Sequence, residues 1–237
     1  MTGMRLQRAL ARAGVSSRRA AESLIREGRV RVNGDVAVIG AVVDPGRDVI
    51  MVGRRRVRPA AAAWIAFHKP VGLVVSRRDE AGRTTVFSLL PDLPALTYVG
   101  RLDVMTAGLL LLTTDGEAIH RLTHPRYAVE RAYRALVHGR SESQIRGLLS
   151  RPVNLEGRPV RIVRWRTRPA GHSTDLQLVL AEGRHRMVRR LCEQWDLKVE
   201  RLTRLSYGPI QLGSLKPGQW RHLAPAEVRS LLAAPRD

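Results

Sequence analysis

The chain is poor in several residue types and lacks long apolar runs, and two of these features exclude a class of protein. Only one of its 237 residues is a cysteine, Cys192, so an internal disulfide framework is excluded. Aromatic residues make up 4%, and lysine occurs only three times. No apolar run reaches the roughly 18 residues that a membrane span needs, and no stretch has the pattern of a signal peptide. We therefore expect a cytoplasmic protein without a membrane partner, and we interpret Cys192 as a small core residue.

Metal-ligand spacing is also missing. His120 and His124 form an i, i+4 pair, which would share one face of a helix, but no third ligand accompanies them. We expect no metal and no other cofactor.

Positive charge is in excess. The chain has 41 basic residues against 21 acidic ones, which gives a formal net charge of +20 and a pI of about 11.6. Such an imbalance favours a polyanionic partner, most often a nucleic acid. A GC-rich genome would explain the preference for arginine over lysine, but it would not explain the excess of basic over acidic residues. Arginine makes bidentate phosphate contacts and stacks on bases.

The first quarter of the chain predicts two short helices and a hairpin. Apolar residues recur at helical spacing over residues 6–13, and Ser16 or Ser17 can cap a second helix that ends near Gly28. Residues 30–36 read VRVNGDV, and alternating apolar residues around Asn-Gly indicate a β-hairpin. These elements predict a small basic domain.

An arginine-rich segment follows this domain. Residues 54–58 and the proline and alanines after them suggest a linker, although the arginines would also suit the end of a basic surface strand. We predict a first domain over residues 1–58, a linker over 59–62 and a second domain over 63–237.

The second domain mixes strand and helix patterns without strict alternation. This order favours an α+β fold with a mixed, largely antiparallel sheet flanked by helices. The predicted strands are residues 64–67, 109–112, 130–137, 160–163, 176–180 and 199–205, and the predicted helices are 143–149, 187–195 and 226–232.

The most informative stretch is GRLDVMTAGLLLLTTDGE, which begins at Gly100. A polar turn carries Asp103 beside Arg101 and leads into four leucines, Leu109 to Leu112. The leucine run is short and bounded by turn residues, which indicates a fully buried strand. Small residues before it would permit close packing. Asp103 therefore lies on a loop anchored by a core strand, a common way to hold a catalytic group.

Two further segments have polar side chains that could converge on Asp103. ERAYRALV, from residue 130, places Tyr133 among arginines on a predicted strand. EGRHRMVRRL, from residue 182, is a glycine-containing turn that leads into a basic helix. Its amide and guanidinium groups suit the binding of a polyanion.

Residues 4–52 resemble the alpha-L module, a small RNA-binding domain first recognised in a small-subunit ribosomal protein. The residues that carry this likeness are Arg18, Arg19, Ala21, Glu22, Ile25, Gly28, Val30, Val32, Asn33 and Gly34. Arg18 and Arg19 begin the second helix, where the helix dipole and both guanidinium groups would face phosphate. The alternative is a solvated basic helix face.

Residues 64–223 resemble the pseudouridine synthases, specifically the RsuA family, which modifies ribosomal RNA and carries the alpha-L module in front. The ordered motifs that carry this likeness are HKPVGLVVS from residue 68, the stretch from Gly100, RLTHPRYAVERAYRALVHG from residue 121, EGRHRMVRRL from residue 182, and SYGPI with LKPG from residues 206 and 215. The segment RLTHPRYAVE and the arginine-rich linker look more like the large-subunit branch than the small-subunit one.

The resemblance assigns roles to individual residues. Asp103 matches the catalytic aspartate, Tyr133 the active-site tyrosine, and Arg189 the arginine that pairs with the aspartate. Arg101 matches the residue that fills the space left by the flipped nucleotide. Further RNA contacts are expected from basic residues of the segment that begins at residue 182, namely Arg184, Arg186 and Arg190.

The chain departs from the family pattern at a few positions. His185 and Met187 stand where polar residues such as asparagine and glutamine are common, Arg131 stands where lysine is usual, and His68 stands where asparagine is frequent. None of these changes removes a presumed catalytic group. The resemblance implies a cofactor-independent enzyme whose partner is ribosomal RNA or a pre-ribosomal particle, and we expect a monomer.

Two other functions use the same features. A ribosome-assembly factor without activity would need the basic module but would have no need of Asp103 and Tyr133. A DNA-binding regulator would need a helix-turn-helix or dimer element, and only the first two helices offer a weak candidate.

Overall fold

The computed structural model describes residues 3–58 and 62–233. The chain divides into two compact units. One contains the chain up to Ala63 with Pro91–Thr97 and Thr113–Gly116, and the other contains Trp64–Leu90, Tyr98–Leu112 and the chain from Glu117. Most of the predicted linker, residues 59–61, lies outside the described residues.

The N-terminal elements are short and surround a small apolar core. They are β1 (Met4–Arg5), α1 (Leu6–Arg12), α2 (Arg18–Arg26), β2 (Val30–Val32), β3 (Asp35–Val36), β4 (Val42–Val43), β5 (Ile50–Val52) and β6 (Arg55–Val57). An antiparallel sheet has the order β3-β2-β5-β6, and β1 pairs with β4. The core contains the buried side chains Leu6, Leu10, Ala21, Ile25, Val30 and Ile50.

Local signals in the sequence account for the ends of α2. The Ser17 hydroxyl accepts a hydrogen bond from the Ala20 amide at 3.2 Å, as an N-cap residue does. Gly28 adopts φ +68° and its amide donates to Ile25 O, while the Arg29 amide donates to Leu24 O. This pair of bonds is a Schellman motif, which explains why a glycine ends the helix.

The predicted hairpin around Asn33-Gly34 is present, with φ of +54° and +100° at the two turn residues. The arginine-rich segment follows the alternative interpretation, a basic surface strand, and lies within the predicted first domain of residues 1–58. Arg55 and Arg56 belong to β6, which pairs with β5, so this part is a basic surface strand and not a linker.

From Trp64 onward the chain builds a larger sheet with helices. Its elements are β7 (Trp64–Lys69), β8 (Thr97–Val99), β9 (Ala107–Thr113), α3 (Gly116–Thr123), β10 (Arg131–His138), α4 (Glu142–Leu149), β11 (Asn154–Leu155), β12 (Arg158–Pro159), β13 (Ile162–Ala170), β14 (Ser173–Leu180), α5 (Met187–Gln194), β15 (Lys198–Tyr207), β16 (Ile210–Gln211), β17 (Trp220–His222) and α6 (Pro225–Leu232), with 3₁₀ turns at Val86–Leu89 and Pro125–Tyr127.

The main sheet has nine strands in the order β13-β14-β10-β15-β9-β7-β17, with β16 beside β15 and β8 beside β9. β9 runs parallel to β15, whereas the β13–β14, β14–β10, β10–β15 and β7–β17 pairs are antiparallel. Side chains of α4 and α5 pack on β10, β14 and β15 in one apolar cluster. The predicted mixed, largely antiparallel α+β fold is confirmed.

The leucine strand is the buried centre of this sheet. Leu109 to Leu112 are all fully enclosed, as predicted. At the start of β9, Gly108 adopts φ +108° and lies opposite Arg204 of β15. A Cβ atom on Gly108 would lie 2.3 Å from Arg204 O and 2.5 Å from Arg204 N, so only glycine permits this approach.

One strand begins later than predicted, because a short hairpin precedes it. Val160 does not start β13; its amide donates to Val153 O, beside the β11–β12 hairpin, whose turn has Glu156 and Gly157 at positive φ. β13 starts at Ile162 instead. Glu-Gly is a weaker turn signal than Asn-Gly, since only its second residue favours positive φ.

We predict that Gly108→Ala destabilises the protein. The added methyl group meets the β15 backbone, and the positive φ alone costs alanine about 1–3 kcal/mol. Thermal unfolding should show a lower melting temperature. The matched control is Gly147→Ala in α4, where a Cβ atom would have no neighbouring atom within 4 Å. That control should be neutral or stabilising by about 0.5–1 kcal/mol. An unchanged melting temperature in Gly108→Ala would contradict the close approach.

Candidate active site

Asp103 lies in the loop of residues 100–106 between β8 and β9, where its side chain is half-buried. The loop is held by its own backbone and by a neighbouring turn. Asp103 O accepts from the Thr106 amide at 3.0 Å, and Val104 O accepts from the Gly72 amide at 2.9 Å. The carboxylate is therefore presented from a fixed turn directly before the buried strand.

Lys69, the last residue of β7, ties this loop to the sheet. Its side chain is fully buried, and Nζ donates to Pro70 O at 2.9 Å, Val104 O at 3.1 Å and Thr106 O at 3.0 Å. Burial lowers the pKa of Lys69 to about 8, and the negative charge of Asp103 opposes this shift. At neutral pH the ammonium form has all three donors, one for each carbonyl.

Sequence reasoning missed Lys69. Its signal is a lysine that follows the apolar residues and His68 of β7 and precedes Pro70, in a chain that has only three lysines. A lysine at the end of an apolar strand is more often a solvated end residue. Its role depends on loop carbonyls 35 and 37 positions away, which the local sequence does not reveal.

A cleft of about 440 Å³ opens beside the Asp103 loop, within the larger unit. Asp103, Arg101 and Tyr133 line it, and residues 182–188, which lead into α5, form another part of its wall. Apolar side chains, including Leu202, complete the lining. The cleft therefore combines one carboxylate loop, an aromatic ring and several cations, in a volume suited to a nucleoside-sized group.

Tyr133 is half-buried on β10, in the centre of the antiparallel part of the sheet. It lies opposite Leu178 of β14 and Arg204 of β15. Residues directly opposite each other in antiparallel strands share a face. The Tyr133 ring is thus held on a rigid strand with its neighbours fixed by the sheet register.

Arg189, on α5, contacts the Asp103 loop. Its Nη2 donates to Met105 O at 2.6 Å, so this hydrogen bond goes to the loop backbone and not to the Asp103 carboxylate. Burial lowers the pKa of Arg189, the positive charge of Arg186 adds to this, and the charge of Asp103 opposes it. Arg189 therefore interacts with Asp103 through its charge while its hydrogen bond holds the loop.

The other predicted RNA-binding arginines of this unit differ in whether other residues hold their side chains. Arg101 is exposed at the cleft. Arg184 contacts Glu182 at 3.0 Å and donates to carbonyls of the β11–β12 hairpin, Arg186 pairs with Glu193 at 3.3 Å, and Arg190 pairs with Glu156. Arg101 therefore has the side chain best placed to move with a ligand. In the N-terminal unit, Arg18 and Arg19 are exposed at the start of α2.

The departures from the family pattern occupy different environments. His185 is exposed and Met187 is buried, and both line the cleft. His68 is directed elsewhere, with Nδ1 at 2.6 Å from Leu215 O. Arg131 is buried and donates to Val129 O, Leu122 O and the Tyr207 hydroxyl. His185 and Met187 are thus the departures best placed to alter ligand contacts.

Cys192 is fully buried in the cluster between α5 and the sheet, and burial raises the pKa of its thiol to about 12. A thiol in this state is a core side chain and a poor nucleophile. Among the described residues no three histidine, cysteine or acidic side chains form a possible metal site. None of the described helices combines the length and apolarity that a bilayer crossing requires.

Two family models match the chain. The RNA pseudouridylate synthase model covers residues 63–194, and the S4 domain model covers residues 4–49. Since the first match spans more than half of the 237 residues, the chain belongs to the RNA pseudouridylate synthase family.

Individual relatives agree with this membership over nearly the whole chain. An RNA pseudouridine synthase from Aquifex aeolicus is 40% identical, with 99% of this chain and 96% of the relative covered. The ribosomal large subunit pseudouridine synthase B of Bacillus subtilis is 38% identical, with 97% and 96% covered. A crystal structure of a pseudouridylate synthase superposes with a TM-score of 0.65 at 27% identity, over 96% of this chain and 99% of that one.

We predict that Lys69→Met loosens the Asp103 loop. Methionine keeps the chain length but removes the donors to three carbonyls, each worth about 1–3 kcal/mol when left unpaired in the interior. Urea unfolding should show a lower midpoint, and hydrogen exchange should speed up in the amides of residues 100–106. The control is Lys198→Met at the exposed start of β15, expected within about 0.5 kcal/mol of the parent. Equal behaviour of both variants would rule out this anchoring role.

Proposed function

We propose that this protein converts a specific uridine of large-subunit ribosomal RNA into pseudouridine. The observation that carries the proposal is the cleft in which the Asp103 loop and Tyr133 meet among cations, in a member of the RNA pseudouridylate synthase family. The relative from B. subtilis is named for the large ribosomal subunit, which supports that subunit as the source of the substrate.

Delivery of RNA is the first step. The net charge of +20 favours association with a polyanion, and the S4 match adds a dedicated RNA-binding domain. In that domain Arg18 and Arg19 stand exposed at the start of α2. We assign these two residues to phosphate contacts outside the cleft, which position the RNA without reading its sequence.

The target uridine must then leave its stack, because its reacting atoms are inaccessible within folded RNA. Flipping a nucleotide costs on the order of a few kcal/mol, which new contacts must offset. Arg101, exposed at the cleft and two residues before Asp103, is placed to enter the vacated space and to stack on the remaining bases. In this assignment it compensates part of the cost of unstacking.

The isomerisation exchanges one bond to the ribose for another. The bond between N1 of uracil and C1′ breaks, the base turns, and a bond forms between C5 and C1′. The proton on C5 is lost and N1 gains one, so no electrons enter or leave. We assign Asp103 to the bond-breaking stage as nucleophile or general base.

Tyr133 and Arg189 support this step in different ways. The Tyr133 ring, fixed on β10 in the cleft wall, would stack on the uracil and help to remove the proton from C5. Arg189 carries the opposite charge near Asp103, and this attraction would help to orient the carboxylate. Its hydrogen bond to Met105 O would also hold the Asp103 loop in place.

We predict that Asp103→Asn abolishes pseudouridine formation and leaves RNA affinity within about twofold, because it removes one charge from a site whose affinity comes mainly from phosphate contacts. The assay is pseudouridine content of ribosomal RNA after incubation, with affinity measured by filter binding. The control is Asp92→Asn, a loop acid that is not among the residues lining the cleft, which should keep the parent rate.

Wild-type product formation by Asp103→Asn would overturn the mechanism. A deletion strain whose growth defect is fully rescued by Asp103→Asn would favour a ribosome-assembly role, since such a role needs binding and not turnover.

A separate experiment tests which ribosomal subunit contains the modified RNA. Carbodiimide-dependent primer-extension stops should disappear at one position of the large-subunit RNA when the gene is deleted, and return when it is supplied again. Loss of a stop in the small-subunit RNA would contradict the large-subunit assignment while leaving the enzyme class intact.

A further inference from the structure

Arg204 is a buried cation in the wall of the active-site cleft. It lies on β15 with only 2% of its surface exposed, and it contributes to the cleft lining. The β10–β15 register sets it directly opposite Tyr133. Opposite residues in an antiparallel pair share a face and have Cβ atoms about 4.5–5.5 Å apart. Arg204 is therefore the cross-strand neighbour of the ring assigned to the uracil.

The guanidinium of Arg204 has one hydrogen bond, one ring contact and one enclosed nitrogen without a partner among the described residues. Its Nε donates to Leu109 O at 2.7 Å, and its Cζ lies 5.1 Å from the centre of the Tyr207 ring. Its Nη2 is enclosed but has no hydrogen-bond partner among the described residues. The hydrogen bond of Nε thus fixes the side chain, while the donor Nη2 is unused.

The neighbouring Arg131 makes more hydrogen bonds than Arg204. Arg131 also stacks on Tyr207, at 4.7 Å, but its two terminal nitrogens donate to Val129 O, Leu122 O and the Tyr207 hydroxyl. Arg131 is therefore accounted for as a structural residue. The same surroundings leave Arg204 with an idle donor, although buried polar groups are almost always paired.

An unpaired charged donor in the interior is costly, so it needs an explanation, and a ligand that supplies the missing acceptor is one. The burial of Arg204 indicates which acceptor of a flipped nucleotide, phosphate or base, its side chain would contact. The phosphates belong to the RNA chain and stay at the mouth of the cleft, whereas the base enters furthest. A group with 2% exposure on the wall beside Tyr133 would meet the edge of the base.

We propose that Nη2 of Arg204 binds a carbonyl oxygen of the target uracil and holds the base while it turns. This inference rests on the proposed function. Uracil presents two carbonyl acceptors, O2 and O4, and an arginine donor suits either. At position 4 cytosine has an amino group, which donates, so a donor facing O4 would also disfavour cytosine.

The geometry of the reaction explains why one fixed donor suffices. Turning uracil by half a turn about the axis through N3 and C6 exchanges N1 with C5, which is the exchange the reaction requires. The same turn exchanges O2 with O4. A donor that faces one carbonyl before the turn therefore faces the other afterwards. When the N1–C1′ bond breaks with its electron pair left on the base, the nearby guanidinium charge also stabilises the detached anion.

The test measures coupling between Arg204 and the carbonyl oxygens. The substrate is the ribosomal RNA fragment identified by the deletion mapping, prepared with uridine, 2-thiouridine or 4-thiouridine at the modified position. Sulfur accepts hydrogen bonds poorly. Single-turnover rates are measured for the parent protein, Arg204→Met, Arg204→Lys and the control Arg201→Lys, which changes an exposed arginine of the same strand.

We expect at least one thio substitution to slow the parent and Arg201→Lys by about tenfold or more, the usual worth of a hydrogen bond to a charged group. Arg204→Met should be slow with uridine. It should also lose most of the thio effect, which is the ratio of the rate with uridine to the rate with the thio substrate. Arg204→Lys keeps the charge but cannot bond Leu109 O and the base at the same time. Its rate with uridine and its thio effect should therefore lie between those of the parent and of Arg204→Met.

Two outcomes would overturn the inference. One is a parent protein that handles both thio substrates at the uridine rate, a measurement that needs no variant to fold. The other is an equal thio effect in the parent and Arg204→Met, which would leave Arg204 a structural role only. If the parent forms no pseudouridine even in the unmodified fragment, the proposed function fails instead, so the two failures are distinguishable.

Discussion

The close approach of β9 to β15 at Gly108 is the constraint on which the site depends. Because a glycine at φ +108° lets the two backbones meet there, the leucine strand joins the antiparallel part of the sheet as a parallel neighbour of β15. That junction sets the loop before β9, with Asp103, beside the strand opposite Tyr133. The carboxylate and the ring come from separate segments of the chain, and this one contact brings their strands into the same sheet.

Much of the fold could be predicted from the sequence, because its signals are local. The N-cap at Ser17, the Asn33-Gly34 turn and the apolar run of β9 each depend on residues within a few positions of one another. The grouping of Asp103 and Tyr133 came from the resemblance of ordered motifs, not from periodicity. Lys69 and Arg204 were missed, since each is defined by carbonyl oxygens 35 to 95 positions away. The β11–β12 hairpin was missed because its Glu-Gly turn is a weak signal.

The buried cations Lys69, Arg131 and Arg204 are all bound by uncharged groups. Lys69 is bound by three carbonyl oxygens, Arg131 by carbonyls and a hydroxyl, and Arg204 by one carbonyl and the face of Tyr207. Carbonyls and rings orient a cation without cancelling its charge. The cleft lining contains five arginines and two acidic side chains, an excess that suits both an incoming polyanion and a base that becomes negative.

In a chain with few lysines, position 69 requires a lysine because of the shape of its binding site. A guanidinium spreads its donors outward in a plane, whereas an ammonium group directs three short bonds from one atom as a tripod. Pro70 O, Val104 O and Thr106 O converge on a single nitrogen, an arrangement that a planar fork does not reproduce. In a chain that uses arginine for nearly every other positive charge, this position is one where the two cations are not interchangeable for reasons of shape alone.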